Sequence, residues 1–101
     1  MPAVARKNGT DSIATNHACD TTTVTDQGSS DVFVNGIGAV RADDLCEIHD
    51  ILVGDSCVPH TVPLSSYSGT VFVNGKGIGR KGDFYNGHEI TSGSSDVFAG
   101  D

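Results

Sequence analysis

The chain has 101 residues, 13 of them glycine and none tryptophan, with a formal net charge of −7. That length holds one domain, residues 1–101, around one modest core, and the acidic balance leaves no basic stripe to neutralise phosphates, so nucleic acid is excluded as the main partner. The opening Met1-Pro2-Ala3-Val4-Ala5-Arg6 lacks the apolar run of a secretory signal and all apolar stretches are short, so the expectation is synthesis in a cytoplasm and no membrane span.

In chain order, a short apolar segment comes first, Ala3-Val4-Ala5-Arg6-Lys7, followed by a long connection, Asn8 to Gly28, that carries His17 and Cys19. The first predicted strand lies in Gly28-Ser29-Ser30-Asp31-Val32-Phe33-Val34, because β-branched and aromatic residues favour a half-buried pleated surface. Asn35-Gly36 ends it with a strong hairpin signal, both turn positions requiring positive φ. The returning strand is predicted over Ile37 to Arg41. A second connection, Asp43 to Tyr67, carries Cys46, His49, Cys57 and His60. The hairpin is then written again as Tyr67-Ser68-Gly69-Thr70-Val71-Phe72-Val73-Asn74-Gly75, returning over Gly77 to Arg80. A third connection, Asp83 to Gly93, carries His88. The last copy, Gly93-Ser94-Ser95-Asp96-Val97-Phe98-Ala99-Gly100, lacks a returning strand.

Phe33 to Phe72 and Arg41 to Arg80 are both separated by 39 residues. Matched offsets at two places mark a duplication. Ala3-Val4-Ala5-Arg6-Lys7 resembles Gly38-Ala39-Val40-Arg41-Ala42, so the N-terminal segment is expected to complete the third hairpin. The prediction is an all-β domain of three hairpins about a pseudo-threefold axis, with sheet edges covered where the termini pair.

All four histidines and all three cysteines fall in the connections, and long connections without periodicity of their own are commonly functional or pinned. If the hairpins point the same way, their connections converge at one end. Four nitrogen or sulfur ligands make a closed, structural zinc site, which would contribute folding free energy to a domain with little core. The expected ligands of this structural metal are His17, His49, His60 and His88, with Cys19 and Cys57 as substitutes. Zinc is the expected ion and iron the second choice. Cys46 is read as a packed thiol. An odd number of cysteines leaves one disulfide plus a free thiol, thiolate ligation, or buried thiols all open.

The repeated Val-Phe-Val-Asn-Gly hairpins followed by Arg-Ala-Asp-Asp and Arg-Lys-Gly-Asp, with histidine-bearing connections between them, resemble PAAR-repeat proteins, as do Asn16-His17-Ala18-Cys19 and the closing Asp96-Val97-Phe98-Ala99-Gly100. The resemblance covers nearly the whole chain. It implies a cone-shaped domain with a metal near its tip, capping the trimeric β-helical spike of a contractile phage tail or type VI secretion system. The broad base would pack on the spike, and the point would meet the target-cell envelope transiently. The chain would be a non-enzymatic, membrane-piercing tip, carried on a virion tail or delivered through a contractile apparatus. Three histidines and a cysteine are the usual ligands in that family, the cysteine lying in Gly-Asp-x-x-x-Cys-Gly. Here the stretch reads Gly82-Asp83-Phe84-Tyr85-Asn86-Gly87-His88, so His88 takes the cysteine's place.

Two other classes fit the residues less well. A calcium-binding repeat module would need tandem nonapeptides, whereas the phenylalanine spacings are 39 and 26, and clustered histidines suit zinc better than calcium. A small zinc hydrolase would need an open metal position beside a general base such as Glu47 or Glu89.

Overall fold

A computed structural model describes residues 1–100. Among them there is no helix, hence none long and apolar enough to cross a membrane. The strands are short: β1 (Ser12–Ala14), β2 (Thr22–Val24), β3 (Phe33–Val34), β4 (Ile37–Gly38), β5 (His49–Val53), β6 (Ser56–His60), β7 (Phe72–Val73), β8 (Lys76–Gly77), β9 (Phe84–Tyr85) and β10 (His88–Ile90). The described residues extend 41 × 23 × 23 Å.

The two complete Asn-Gly hairpins form as the sequence predicts. Asn35 and Gly36 have φ of 55° and 77°, and Asn74 and Gly75 have 55° and 76°. Both central residues are thus left-handed, the geometry whose twist matches the flanking strands. Side-chain alternation sends Val34 and Val73 inward and Phe33 and Phe72 outward. Phe98 follows the same pattern beside buried Ala99. The three phenylalanines are 57%, 60% and 50% exposed, so each unit leaves its largest apolar group in solvent.

The N-terminal segment takes the place of the missing return strand. Ala39 N donates to Val32 O and Ile78 N to Val71 O; in the third unit Val4 N donates to Val97 O. Likewise Ser29 N, Ser68 N and Ser94 N donate to the carbonyls of Ala39, Ile78 and Val4. The three return segments also bond to one another in a closed ring: Ala5 N to Gly79 O, Gly79 N to Val40 O, and Val40 N to Ala5 O. Inside lies a small cluster of Val4, Val34, Ala39, Val73, Ile78 and Ala99. Glycine is needed where the return strand presses on the preceding segment. A Cβ at Gly38 would overlap the Ser29 carbonyl, and one at Gly77 the Tyr67 ring and Ser68 carbonyl.

Polar bonds knit the units in a second ring that donates in the opposite cyclic sense. The Ser29 hydroxyl donates to Asn74 Oδ1, that of Ser68 to the Gly100 carbonyl, and that of Ser94 to Asn35 Oδ1. Each return segment ends in an arginine clasping an aspartate. Arg6 holds Asp11, Arg41 holds Asp44 and Arg80 holds Asp83. In every case the arginine N and Nε donate to Oδ2, and Nη2 donates to Oδ1, at 2.7–3.1 Å. Such bidentate, charge-assisted bonds fix direction as well as adding energy.

The connections carry more regular structure than the sequence reading assigned them. β2-β1-β10-β9 form a four-stranded antiparallel sheet, and β5 and β6 pair as a separate hairpin. A second core of Ala5, Ile13, Val40, Cys46, Leu64, Tyr85 and Ile90 lies beneath these elements. The β9–β10 turn is a third Asn-Gly, Asn86-Gly87, with φ of 51° and 95°. In the β5–β6 hairpin, Gly54 supplies the positive φ, at 61°.

Candidate metal centre

Three different structural elements bring the four histidines together. His49 opens β5 and His60 closes β6, and the two are cross-strand partners at the open end of that hairpin. Their register follows from the turn: Val53 pairs with Ser56, and each earlier pair is one step further out, ending at His49 and His60. His88 opens β10 opposite Tyr85, directly after the Asn86-Gly87 turn. His17 arrives from the loop between β1 and β2. There Asn16 adopts a positive φ of 61°, and the His17 amide donates to Thr15 Oγ1.

One potential ligand atom from each histidine lies within 4.8 Å of those of the other three, a group able to hold a metal ion. Nε2 of His17 and Nε2 of His88 are 3.0 Å apart. Four nitrogens arranged tetrahedrally around zinc would sit about 3.3 Å from one another, given metal–nitrogen distances of about 2.0–2.1 Å. The ring centroids are separated by 4.6 to 5.6 Å. His49 and His88 are buried, and His17 and His60 are half-buried.

Unmet hydrogen-bonding capacity points the same way. His49 Nε2 and His60 Nε2 are buried and have no hydrogen-bond partner. A buried polar atom without a partner costs free energy, and lone pairs facing one another find no donor. A cation removes that cost. Nδ1 of His49 lies 3.0 Å from the Glu47 carbonyl oxygen. Donating its proton there leaves Nε2 as the lone-pair atom, the outer hydrogen bond that commonly orients a metal-binding imidazole.

The electrostatics keep two of the rings neutral. Burial, then the nearby His49 and His17, holds the His60 imidazole below its usual value. Burial, followed by His17, His49 and His60, pushes His88 down to about 4. Both effects disfavour the protonated form and leave the nitrogen lone pairs available, as metal ligation requires.

All four histidines expected as ligands therefore meet. The two cysteines expected as substitutes do not serve in that way: Cys19 and Cys57 are joined in a disulfide. A disulfide sulfur is not a thiolate, the form in which cysteine binds metal. The His17 loop lies against the β5–β6 hairpin and brings them together, a long-range placement that local spacing does not reveal. Cys46 is buried in the second core, 1% exposed, with Sγ 3.5 Å from Thr61 Oγ1 and 4.0 Å from His49 Nδ1. Glu89 is exposed between buried His88 and Ile90, and so lies on the opposite face of β10. Glu47 offers its backbone carbonyl to His49, while the residue itself is exposed.

Sequence reading missed the residues that seat His17. Asp20 N donates to the Asp50 carbonyl, and Asp50 N donates to Asp20 Oδ2 at 2.7 Å, fastening the His17 loop to β5. The Thr15 hydroxyl closes the same loop by donating to the Asp20 carbonyl. An Asp three residues beyond a candidate ligand is a weak signal, since it gains its meaning only beside β5. A scan against family models found no match, and a search of curated proteins found no relative.

Proposed function

We propose that this chain is the metal-stiffened tip of a trimeric β-helical spike in a contractile injection machine, a cone-shaped, pseudo-threefold domain of the PAAR-repeat kind. The observation that carries the reading is the threefold recurrence of an exposed phenylalanine, Phe33, Phe72 and Phe98, on units bonded to one another in a closed ring. Three like apolar groups on a cyclic scaffold suit a partner with threefold symmetry. Burying them would cover strand edges at the spike's blunt end. The elongated extents, with two equal short dimensions, agree with a cone.

In this reading the ion held by His17, His49, His60 and His88 is zinc, with iron as the second choice. Four protein nitrogens fill a tetrahedral shell and leave no open position, so the metal's role is structural. It would stiffen a region with few apolar contacts. The chain would be made in a cytoplasm and would act on a phage tail tip or a type VI apparatus. It would touch the target envelope only during penetration and would perform no catalysis.

Two measurements test this. Mixed with a purified trimeric β-helical spike, the protein is expected to form a complex of one chain per trimer, as seen by mass photometry. Replacing Phe33, Phe72 and Phe98 together by serine should abolish that complex while the isolated protein remains folded. Full binding by the triple variant would refute the base assignment. Elemental analysis of purified protein should give about one zinc per chain, the full occupancy of a single four-ligand site.

A further inference from the structure

We infer that the Cys19–Cys57 disulfide is a redox lock on the histidine site. Oxidised, it holds the His17 loop against β6 and retains the metal; reduced, it lets His17 swing away and the metal exchange. The inference rests on the metal reading above and adds a condition under which the site is tight.

The four histidines are not equally anchored. His49 and His60 face each other across a hairpin ladder, and His88 is paired into a four-stranded sheet. His17 alone comes from a loop. Apart from the Asp20–Asp50 bonds, that loop's tie to the hairpin is the disulfide, which joins Cys19, two residues after His17, to Cys57, three residues before His60. A single covalent link therefore connects the segments supplying two of the four ligands. Its partners are 38 residues apart in sequence, so no neighbouring stretch of chain ties the two cysteines together once it is cut.

The lock is reachable. Cys57 is an exposed residue on a hairpin whose outer part, Leu52 to Cys57, is exposed throughout. Cys46 is buried and stands apart from exchange. A thiolate of a dithiol reductant attacks the Cys57 sulfur, forming a mixed disulfide and expelling the Cys19 thiolate, which takes up a proton. The reductant's second thiol then resolves the mixed disulfide and releases Cys57 as a thiol. The protein gains two electrons and two protons, and the dithiol becomes its own disulfide. Cytoplasmic thiol pools favour the open state, and oxidising surroundings favour the locked one. Metal would thus enter before the link closes and be trapped once the protein meets oxidising conditions.

The test follows zinc transfer from loaded protein to a chromogenic chelator, with and without the non-chelating reductant tris(carboxyethyl)phosphine. The same measurement is made on C19S/C57S, and amide exchange of Val40 and Gly79 is followed in parallel. Expected is release at least tenfold faster after reduction, and equally fast in the double variant whether or not reductant is present, with both amides still protected. Equal release rates in the two redox states of the wild type would overturn the inference and leave the metal reading intact. Loss of Val40 and Gly79 protection together with the metal would also overturn it, making the disulfide a staple of the whole fold. If the double variant does not fold, the reduced and oxidised wild type decide the matter alone. Failure of the reduced wild type to take up zinc would overturn both readings.

Discussion

The hairpin region and the histidine region of this molecule are held by different means. Around Val4, Ala39 and Ile78, three short segments share backbone hydrogen bonds, a small apolar cluster and three arginine–aspartate clasps. Around His49 and His60, the outer hairpin bonds mainly to itself and exposes Leu52 and Val53. That part relies on a disulfide and on four clustered histidines. Where a small chain has residues to spare it builds a ladder and a core, and where it does not, it needs a cross-link or an ion.

The largest expected effect separates the two regions directly. Replacing His49 and His60 together by alanine should abolish metal binding and remove the ligand-linked share of stability. With free metal about a thousandfold above the dissociation constant, that share is about 4 kcal/mol, or roughly 20 °C in Tm for a domain of this size. Calorimetry with and without chelator should show the wild type falling to the variant's Tm and the variant not responding. A chelator-insensitive wild type would remove the distinction between the regions.

A smaller effect is expected from the clasps. Asp11 is fully buried and accepts from Arg6 N, Nε and Nη2 and from the Ser92 hydroxyl. Asp11→Ala leaves a partly buried guanidinium without its partner, at a cost of about 3 kcal/mol. Urea denaturation should record that loss equally in metal-loaded and metal-free protein. A loss seen only in the loaded form would mean that the clasp serves the histidine region after all.

Acid should sharpen the comparison by the smallest margin. In metal-free protein His60 and His88 have lowered values, His88 at about 4 against an ordinary 6.5. Between those limits the unfolded chain binds protons that the folded one refuses, so stability present above pH 6.5 declines as pH falls toward 4. The hairpin region contains no histidine. Its Asp31 and Asp96 are held below 3.8 chiefly by the amides of Asn74 and Asn35. Their contribution is present above 3.8 and fades only as pH drops through the lower folded values. Residue-resolved exchange across pH 7 to 3 should therefore show β6 and β10 loosening first. Simultaneous loosening of both regions would contradict the assignment.

Much of this was legible in the sequence, and the reasons differ by region. Asn35-Gly36 and Asn74-Gly75 announce their hairpins because turn chemistry is local. The small residues around Gly38 and Gly77 announce close backbone approach, which the Ser29 and Ser68 carbonyls supply. The four histidines were identifiable because they stand in every connection. Asn86-Gly87 carried the same turn signal as the others, yet lay in a stretch read as a loop, since only Phe84-Tyr85 and His88 to Ile90 flank it. The β5–β6 hairpin turns on Gly54-Asp55, a weaker mark. The pairing of Cys19 with Cys57 was not legible at all. Three cysteines allow three pairings, and the choice depends on where the His17 loop meets the β5–β6 hairpin.

The ring linking Ala5, Gly79 and Val40 also sets an order of events in time. Its members are drawn from three segments far apart in sequence, and Val4 waits for a carbonyl at Val97. A nascent chain emerging from the ribosome can close the first two hairpins early, because their Asn-Gly turns are local. Ala5 to Lys7 can pair with Gly38 to Val40 early, but Ala3 and Val4 stay without their partners at Val97 and Phe98 until those residues have been made. Folding of the hairpin region is thus a late, all-at-once closure dominated by non-local pairing, and such topologies fold slowly. Until that closure the side of the N-terminal segment that faces Val97 is an edge open to other chains.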